Sequence, residues 1–544
     1  MTNLKFAERQ SGVTVSYLMP KRIVCEKNTL RSALLLTERP RQAVLNDDET
    51  AVIKKGGYVI FDFGAEISGG ADIVIKRTAR GAYMRIVFGE SVSEAMSETG
   101  VKNATNDHAI RDTLVKVTSW QHFKTWSTGF RFLKLEAVNE DIHISGVQAA
   151  FEYRDLEYKG SFECDDALIN KVWQTGAYTV HLNMQEYLWD GIKRDRLVWV
   201  GDMHPEISVI LAVFGDVSVV RDSLDLIRDN TPGNGWMNGY ASYNMWWLAI
   251  HCDWYMATGD FEYLKEQRNY IFEMLNHVLD CINSDGTHNI ERRFVEWSSK
   301  DTKEENAGMQ AMLVRGLKYG ARLCGILNNE ALRASCLNAV KRLRTQHYEY
   351  AGNKQIAAMV SLTDMDDSKK ISDTILKKNG AEGISTFWGY YTLLALAKTG
   401  DCKAALDIIR NYWGLMLKFG ATTFWEDFDV SWTQNAAPID EPVPEGMNDL
   451  HGDFGKYCYK QFRHSLCHGW AGGPTAFLSR CVLGIECIEP GFKTVRINPQ
   501  LGGLQWVRGK YPTPMGCIEV YHEQSGGGVI SEISAPKGIK IIKD

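Results

Sequence analysis

The stretch Trp254-Tyr-Met-Ala-Thr-Gly-Asp260 has a close counterpart in Leu394-Ala-Leu-Ala-Lys-Thr-Gly-Asp401, and residues 321–329 form a looser version. Glycine ends a helix in the left-handed conformation, and the aspartate or asparagine after it can cap the next helix. Helical patterns recur from about residue 165 to about residue 484, which predicts stacked helix pairs. Such pairs form an open solenoid or a closed ring. The many aromatic residues, and carboxylates in long interhelical loops, favour a closed (α/α)6 barrel with a central pocket.

The segments on either side of the helical region predict β-structure. The early part has alternating apolar and polar residues between glycine turns, which predicts an antiparallel sandwich. Its clearest strands are residues 57–64, 71–78, 83–89, 130–138 and 142–151. The polar residues 91–110 predict a loop. The last strands are too few to fold alone. The fold class is therefore a multidomain α and β protein, with a β-sandwich at 1–160, the (α/α)6 barrel at 161–485 and a small β-domain at 486–544.

Composition excludes several classes of protein. The 544-residue chain has a net charge of −6 and 44% apolar residues, which are typical of a soluble multidomain protein and not of a nucleic-acid binder. No apolar run is long enough to cross a membrane, and the N-terminus lacks the pattern of a signal peptide. The 12 cysteines are scattered without ligand spacing. We therefore expect a cytoplasmic protein with reduced thiols and no metal, cofactor, nucleic-acid or membrane partner.

Two acidic clusters with aromatic neighbours fall in the helical region. Residues 190–202 read Asp-Gly-Ile-Lys-Arg-Asp-Arg-Leu-Val-Trp-Val-Gly-Asp, and residues 420–429 read Gly-Ala-Thr-Thr-Phe-Trp-Glu-Asp-Phe-Asp. Glycosidic bonds are hydrolysed by two carboxyl groups, one as an acid and one to activate water or attack carbon. The candidate residues of the two clusters are Asp190, Arg194, Asp195, Trp199, Asp202 and Glu426. The 16 tryptophans predict either a large core or rings that stack on a sugar.

Each candidate also has a plainer interpretation. Asp195 could form an ordinary ion pair with its arginine neighbours, and Asp202 could be a helix N-cap. Glu426 could belong to a solvated acidic edge, and Trp199 could pack in the core. His468, in a small-residue segment that opens a helix, is either a buried structural histidine or a ligand for a sugar hydroxyl.

The motifs resemble those of glycoside hydrolase family 78, the bacterial α-L-rhamnosidases. Residues 194–202 match the family's Arg-acid-Arg-x-x-Trp-x-Gly-Asp motif, and residues 420–426 match its Gly-Ala-Thr-Thr-x-Trp-Glu motif. His468 matches the histidine of its late Ser-Leu-x-His segment. Phe294-Val-Glu-Trp297 looks like its Phe-x-Asp-Trp element, and residues 490–499 look like the start of its C-terminal β-domain.

The resemblance implies an inverting, exo-acting α-L-rhamnosidase. Asp195 would be the general acid and Glu426 the general base, with their carboxyl groups roughly 6.5–9.5 Å apart to admit water. The other expected substrate-binding residues are Asp190, Arg194, Trp199, Asp202, Trp254, Trp297 and His468. Two rival functions are a glycosidase or phosphorylase of the same fold acting on another sugar, and a catalytically silent sugar-binding protein.

The chain departs from the family pattern in three places. Asp195 stands where well-known members have glutamate, and Gly191-Ile-Lys193 replaces a Cys-Pro-Gln element. An insertion at about residues 430–462 is expected to narrow the pocket towards small rhamnose-containing glycosides. The chain is also short for the family, which favours imported disaccharides over polymers as substrates. A homodimer is compatible with such a barrel.

Overall fold

The computed structural model describes residues 12–38 and 49–543, in which a helical region lies between two regions of β-structure. The early strands pair antiparallel in one eight-stranded sheet. They are Val13–Leu18, Arg22–Leu30, Ala51–Thr78, Ala82–Gly89, Asp112–Val117, Gln121–Lys124, Thr128–Ala137 and Ile142–Arg154.

The strand Ala51–Thr78 runs through both strands predicted at 57–64 and 71–78. It bends at Gly64 and Gly69, whose positive φ angles of 85° and 149° are open to glycine. Residues 58–69 pair with Thr128–Ala137, whereas residues 51–53 and 69–78 pair with Ile142–Arg154. Because this one strand pairs with both of these strands, hydrogen bonds join the two sheets of the predicted sandwich into a single sheet.

The polar segment 91–110 is partly helical, contrary to the predicted loop. It contains the helix Val92–Met96, capped by Ser91, and a 3-10 turn at Val101–Asn103. The amide of Val92 donates to the carbonyl of Ile439 at 2.9 Å, so the segment is anchored on the helical region. Sequence periodicity missed this helix because it is short and is stabilised by contacts with distant residues.

The α-helices of the central region begin with Ala167–Asn183 and end with Gly473–Phe477. Between them lie Val200–Val213, Ser218–Asp229, Ala241–Thr258, Phe261–Glu266, Arg268–Asp280, Glu305–Ile326, Glu330–Leu343, Lys354–Leu362, Ser368–Ile371, Gly389–Lys398, Cys402–Asn411 and Trp413–Lys418. Single π-helical turns occur at Ser372–Leu376 and Leu478–Val482.

The repeated helix end has the predicted geometry at its first occurrence. Gly259 is left-handed with φ 72°, and Asp260 accepts a hydrogen bond from the amide of Tyr263 at 3.0 Å. At the second occurrence Gly400 is left-handed with φ 79°, but the Asp401 carboxylate accepts instead from Lys369 and Ser372.

Six helices of the central region contact one another in a cycle. Each packs against the next and the last packs against the first, in the order Val200–Val213, Ala241–Thr258, Glu305–Ile326, Lys354–Leu362, Gly389–Lys398 and Gly473–Phe477. Other helices connect successive members of the cycle. Several of the largest rings, including Trp246, Trp247 and Trp388, are fully buried, so core packing accounts for them.

The final β-structure consists of two small sheets. The first contains Ile485–Cys487, Thr494–Ile497 and Lys540–Lys543, and the second contains Ser161–Cys164, Trp506–Thr513, Gly516–Ser525 and Gly528–Ser534. The strand Ser161–Cys164 was predicted to open the helical domain, yet it pairs with Trp506–Thr513. No local pattern reveals this pairing, because its partner lies far along the chain. None of the helices in 12–38 and 49–543 has the length and apolar character needed to span a membrane.

Candidate active site

A cavity that opens to solvent contains most of the predicted site residues. Loops after the early helices and the late segment 420–470 supply its walls. Its lining residues are Asp190, Arg194, Asp195, Trp199, Asp202, Tyr240, Tyr243, Phe294, Trp297, Glu426, Cys458, Tyr459, His468 and Trp470.

The loop that carries Asp195 is closed by hydrogen bonds between its two ends. The amide of Asp190 donates to the carbonyl of Leu197, and the amide of Leu197 donates to Asp190 Oδ1, both at 3.0 Å. At the loop's tip Asp195 and Arg196 are left-handed, with φ angles of 49° and 57°. Left-handed backbone costs a non-glycine residue roughly 1–2 kcal/mol, so the surrounding contacts must hold it. Asp195 is 21% exposed, whereas the other cavity carboxylates are almost fully buried.

Glu426 is held by groups from two other segments. Its Oε1 accepts a hydrogen bond from Arg194 Nη2, and its Oε2 accepts one from the amide of Ser465 at 3.2 Å. The amide of Glu426 donates to the carbonyl of Ser465 at 3.0 Å. At 2% exposure, Glu426 is not part of a solvated acidic edge.

One guanidinium group joins the two predicted catalytic carboxylates. Arg194 Nη1 lies 3.2 Å from Asp195 Oδ1, while Nη2 of the same group contacts Glu426. The Arg194 guanidinium also lies over the ring of Tyr459, 5.0 Å from its centroid. The ion pair considered from the sequence is therefore present, and it links residues 232 positions apart in the chain.

The ring of His468 faces three buried carboxylates. Its Nε2 lies 3.4 Å from Glu426 Oε1, 3.7 Å from Asp190 Oδ2 and 3.8 Å from Asp202 Oδ2. Burial raises the pKa of Asp190, although the neighbouring His468 opposes that shift. Burial also raises the pKa of Asp202 well above its usual range, and the charges of Asp190, Glu206 and Glu426 act in the same direction. These groups form a dense set of hydrogen-bond donors and acceptors at the cavity floor.

Asp202 is not the helix N-cap that its position after glycine suggested. The N-cap of Val200–Val213 is Trp199, and Asp202 lies in the first turn with its carboxyl group buried. Gly201 is required by packing, because a Cβ at this position would meet the ring of Tyr243 at 2.5 Å. The Gly-Asp pair therefore brings Tyr243 and Asp202 to the same wall.

Aromatic rings form the remaining walls of the cavity. Trp199 packs against Tyr240 and Tyr243, with centroids 6.5 Å and 6.4 Å away. Trp297 packs against Phe294 at 5.1 Å and Tyr459 at 5.6 Å. Such rings suit the apolar face of a sugar.

Two protein-family models match this chain. The model of the bacterial alpha-L-rhamnosidase 6 hairpin glycosidase domain matches residues 157–482, and that of the bacterial alpha-L-rhamnosidase C-terminal domain matches residues 484–541. The chain belongs to the bacterial alpha-L-rhamnosidase family. This finding confirms the resemblance seen in the sequence motifs.

Individual relatives of this rhamnosidase family are distant in sequence. An alpha-L-rhamnosidase of Alteromonas sp. (strain LOR) is 23% identical, over 88% of this chain and 55% of the relative. The chain therefore spans about half the length of this curated relative.

Solved rhamnosidase structures share the fold. The family 78 rhamnosidase of Bacillus sp. GL1 has a TM-score of 0.76 and 21% identity, covering 94% of this chain and 55% of that one. The rhamnosidase from Klebsiella oxytoca with rhamnose bound has a TM-score of 0.71 and 19% identity, covering 86% of this chain and 96% of that one.

Trp254 is the one predicted binding residue of this family member that lies away from the cavity. It is 1% exposed within the helix Ala241–Thr258 and belongs to the central hydrophobic core. Its binding role stays a prediction that this burial does not support, because Trp254 follows Trp246 and Trp247 on a helix whose residues are mostly buried. Sequence alone could not separate this core ring from pocket rings such as Trp297.

Several lining residues were missed by sequence reasoning. Tyr240 and Tyr243 had no motif of their own. Phe294 belongs to the Phe294-Val-Glu-Trp297 element, but it was not among the expected binding residues. Tyr459 belongs to the segment that was expected to border the pocket, and it does line the cavity. Trp470 follows His468 closely, packs on its ring at 4.3 Å, and donates from Nε1 to the Glu426 carbonyl at 2.9 Å.

A second pair of buried carboxyl groups lies behind Glu426. Burial is the main cause that raises the pKa of Asp427 to about 6 and that of Glu296 to about 8. Nearby negative charges act in the same direction: Glu426 on Asp427, and Asp427 on Glu296. The amide of Asp427 donates to Nε2 of His464 at 2.9 Å. Asp427 is thus also buried, and the idea of a solvated edge fails for both acids of the cluster.

Lys193 links the Asp195 loop to the early β-domain and to the late segment of the helical region. Its Nζ lies 2.8 Å from Glu90 and 3.3 Å from Glu94 of the β-domain, and it donates to the carbonyls of Phe462 and His464 at 3.1 Å and 2.6 Å. This buried cluster depends on Lys193 of the Gly191-Ile-Lys193 sequence.

Two groups among the described residues place three ligand atoms within 4.8 Å of one another, as a metal ion would require. One contains Glu90, Glu94 and His451, where Lys193 already supplies a positive charge. The other contains Asp190, Asp202 and His468 at the cavity floor, where sugar hydroxyls would find the same donors and acceptors.

Proposed function

We propose that this protein is an inverting, exo-acting α-L-rhamnosidase that releases terminal rhamnose from small rhamnosides. The observation that carries this proposal is the pairing of Asp195 and Glu426 across one guanidinium, in a cavity walled by rings and floored by buried polar groups. The fit to the family motifs supports it. Catalysis of this kind is carried out by two carboxyl groups and requires no cofactor.

Glu426 has the environment of a general base. Arg194 and the amide of Ser465 both contact its carboxylate and fix its orientation, and a carboxylate held in this way can accept a proton from water. Water attacking the anomeric carbon would then act from the side opposite the leaving group. This role predicts a carboxyl separation from Asp195 of roughly 6.5–9.5 Å.

Asp195 has the position of a general acid. It is the most exposed carboxylate of the cavity, so it lies where a leaving group would enter and depart. Aspartate is one methylene shorter than the family's usual glutamate. The left-handed backbone of Asp195 and Arg196 is a means of bringing the shorter side chain to the glycosidic oxygen.

The remaining cavity residues would bind the terminal sugar. Asp190, Asp202 and His468 offer acceptors and donors to rhamnose hydroxyls, and Trp199 and Trp297 offer rings to its apolar face. The enclosed floor and the single group of rings would accommodate one sugar residue at the end of a glycan. This supports cleavage from the end of the substrate, that is, exo action. The cycle of six packed helices supports an (α/α)6 barrel as the architecture around this pocket.

Turnover of 4-nitrophenyl α-L-rhamnoside tests the activity, and proton NMR of the first product tests the stereochemistry. We expect β-L-rhamnose to form first. Asp195→Asn and Glu426→Gln should each lower kcat by about 10²–10⁴-fold, with unchanged circular dichroism. Activity only on another sugar, or only with added phosphate, would favour a related glycosidase or phosphorylase. Rhamnose binding without turnover would indicate a silent binding protein.

A further inference from the structure

The rim of the cavity contains two segments that lie outside the cycle of helices. One is the β-domain segment that follows Val92–Met96, and the other is the late segment near residues 449–463. They are joined by polar contacts, including Lys102 to Asp453 at 2.6 Å and Asn103 to Gln461 at 2.7 Å. The β-domain therefore helps to build the mouth of a pocket whose floor is helical.

His108 lies directly beside the candidate acid. Its Nε2 is 3.4 Å from Asp195 Oδ1 and 3.3 Å from Nη2 of Arg463, and the Arg463 guanidinium also binds the carboxylate of Asp107. The His108 side chain is partly exposed. An imidazole in this position can hydrogen-bond a hydroxyl group of whatever is attached to the glycosidic oxygen.

Tyr457 supplies an exposed ring at the same mouth. It is 39% exposed and stacks on Trp297, with centroids 5.7 Å apart and planes 25° apart. Its neighbours Cys458 and Tyr459 line the cavity, so its ring continues the aromatic wall outwards. An exposed aromatic face beside a hydrogen-bonding side chain is a common arrangement for binding a sugar ring.

We propose that His108 and Tyr457 form the subsite for the leaving group, and that this subsite selects a second sugar residue over a simple alcohol. The proposal rests on the proposed rhamnosidase function. His108 would bind a hydroxyl of the second sugar close to the glycosidic oxygen, and Tyr457 would stack on its ring. The preferred substrates would be rhamnosyl disaccharides, because one hydrogen-bonding side chain and one ring suit a single additional sugar residue.

The test compares kcat/KM for rutinose with kcat/KM for methyl α-L-rhamnoside. Both leaving groups are alkoxides, so both depend on protonation by the acid, and only rutinose offers a second ring. We expect His108→Ala and Tyr457→Ala each to lower the ratio of kcat/KM for rutinose to kcat/KM for methyl α-L-rhamnoside about fivefold to tenfold. A decrease of this size corresponds to the loss of one hydrogen bond or one ring contact. Tyr457→Phe should restore the ratio.

Matched controls are His347→Ala and Tyr83→Ala, which change exposed residues of the same types away from the cavity. These should leave the ratio unchanged. If His108→Ala and Tyr457→Ala lower both kcat/KM values equally, the residues act on Asp195 or on folding and the subsite is refuted. An unchanged ratio in both variants refutes it as well. A wild-type protein that cleaves neither rhamnoside would instead overturn the proposed function on which the subsite rests.

Discussion

Replacement of Lys193 by methionine tests the buried cluster behind the active site. Lys193 pairs with Glu90 and Glu94 and donates to two backbone carbonyls, all away from water. Methionine fills a similar volume but leaves the carboxylates without their counter-charge. Removing one partner of a buried ion pair costs about 3–5 kcal/mol, so we expect a loss of that size in the free energy of unfolding at pH 8.

The pH dependence of this loss follows from Glu90. Burial raises the pKa of Glu90 to about 7 even though Lys193 opposes the shift. A carboxyl whose folded pKa is raised contributes stability at low pH, and that contribution is lost as the pH rises towards 7. Without Lys193 the pKa of Glu90 rises further. The difference between wild type and Lys193→Met should therefore be smaller near pH 5 than at pH 8, and it should grow above pH 7 by up to about 1.4 kcal/mol per pH unit.

Urea unfolding followed by tryptophan fluorescence at pH 5, 7 and 8 measures these values. Lys403→Met is the matched control, because Lys403 is 75% exposed and makes one surface pair with Asp407; its stability should match wild type. The double variant Lys193→Met with Glu90→Gln should recover part of the loss, since it removes the uncompensated charge. A Lys193→Met protein within about 1 kcal/mol of wild type at pH 8 would refute the electrostatic argument, because a broken buried pair costs more.

Three further predictions concern the site and its surroundings. Glu296→Gln should gain stability relative to wild type as the pH rises towards 8, because burial raises the pKa of Glu296 to about 8 and the amide never has to ionise in the buried site. Thermal unfolding at pH 5 and pH 8 measures this gain, and a pH-independent difference would contradict the prediction. Trp254→Phe should cost about 1–3 kcal/mol of stability and leave inhibition by L-rhamnose unchanged, whereas weaker inhibition would return Trp254 to the binding site. Asp195→Glu should retain most of the kcat of wild type if the loop places either acid at the glycosidic oxygen, and a loss as large as that of Asp195→Asn would show that the shorter side chain is required.

Local sequence was sufficient for the features that depend on neighbouring residues. The helix end at Gly259 and Asp260 follows from left-handed glycine and a capping carboxylate, both readable within a few positions. The two motifs around Asp195 and Glu426 also carry their chemistry in short runs. Their residues meet in one cavity, as the motifs predicted.

Residues whose role depends on distant partners could not be assigned in this way. Trp254 and Trp297 both follow an acidic residue in the sequence, yet one packs in the core and the other lines the cavity. Lys193 and Glu90 look like surface charges until folding buries them together. The polar segment around His108 looks like a solvated loop, although folding places it against Asp195.

The sequence by itself therefore determined the helix pairs, the β-rich flanks and the candidate residues of the site. Tertiary structure decided which rings face the cavity, which charges are removed from water, and which segment of the β-domain completes the mouth of the pocket. The physical reason is that caps, turns and short motifs depend on neighbouring residues in the chain. Burial and electrostatic pairing depend instead on groups that come together only when the whole chain has folded.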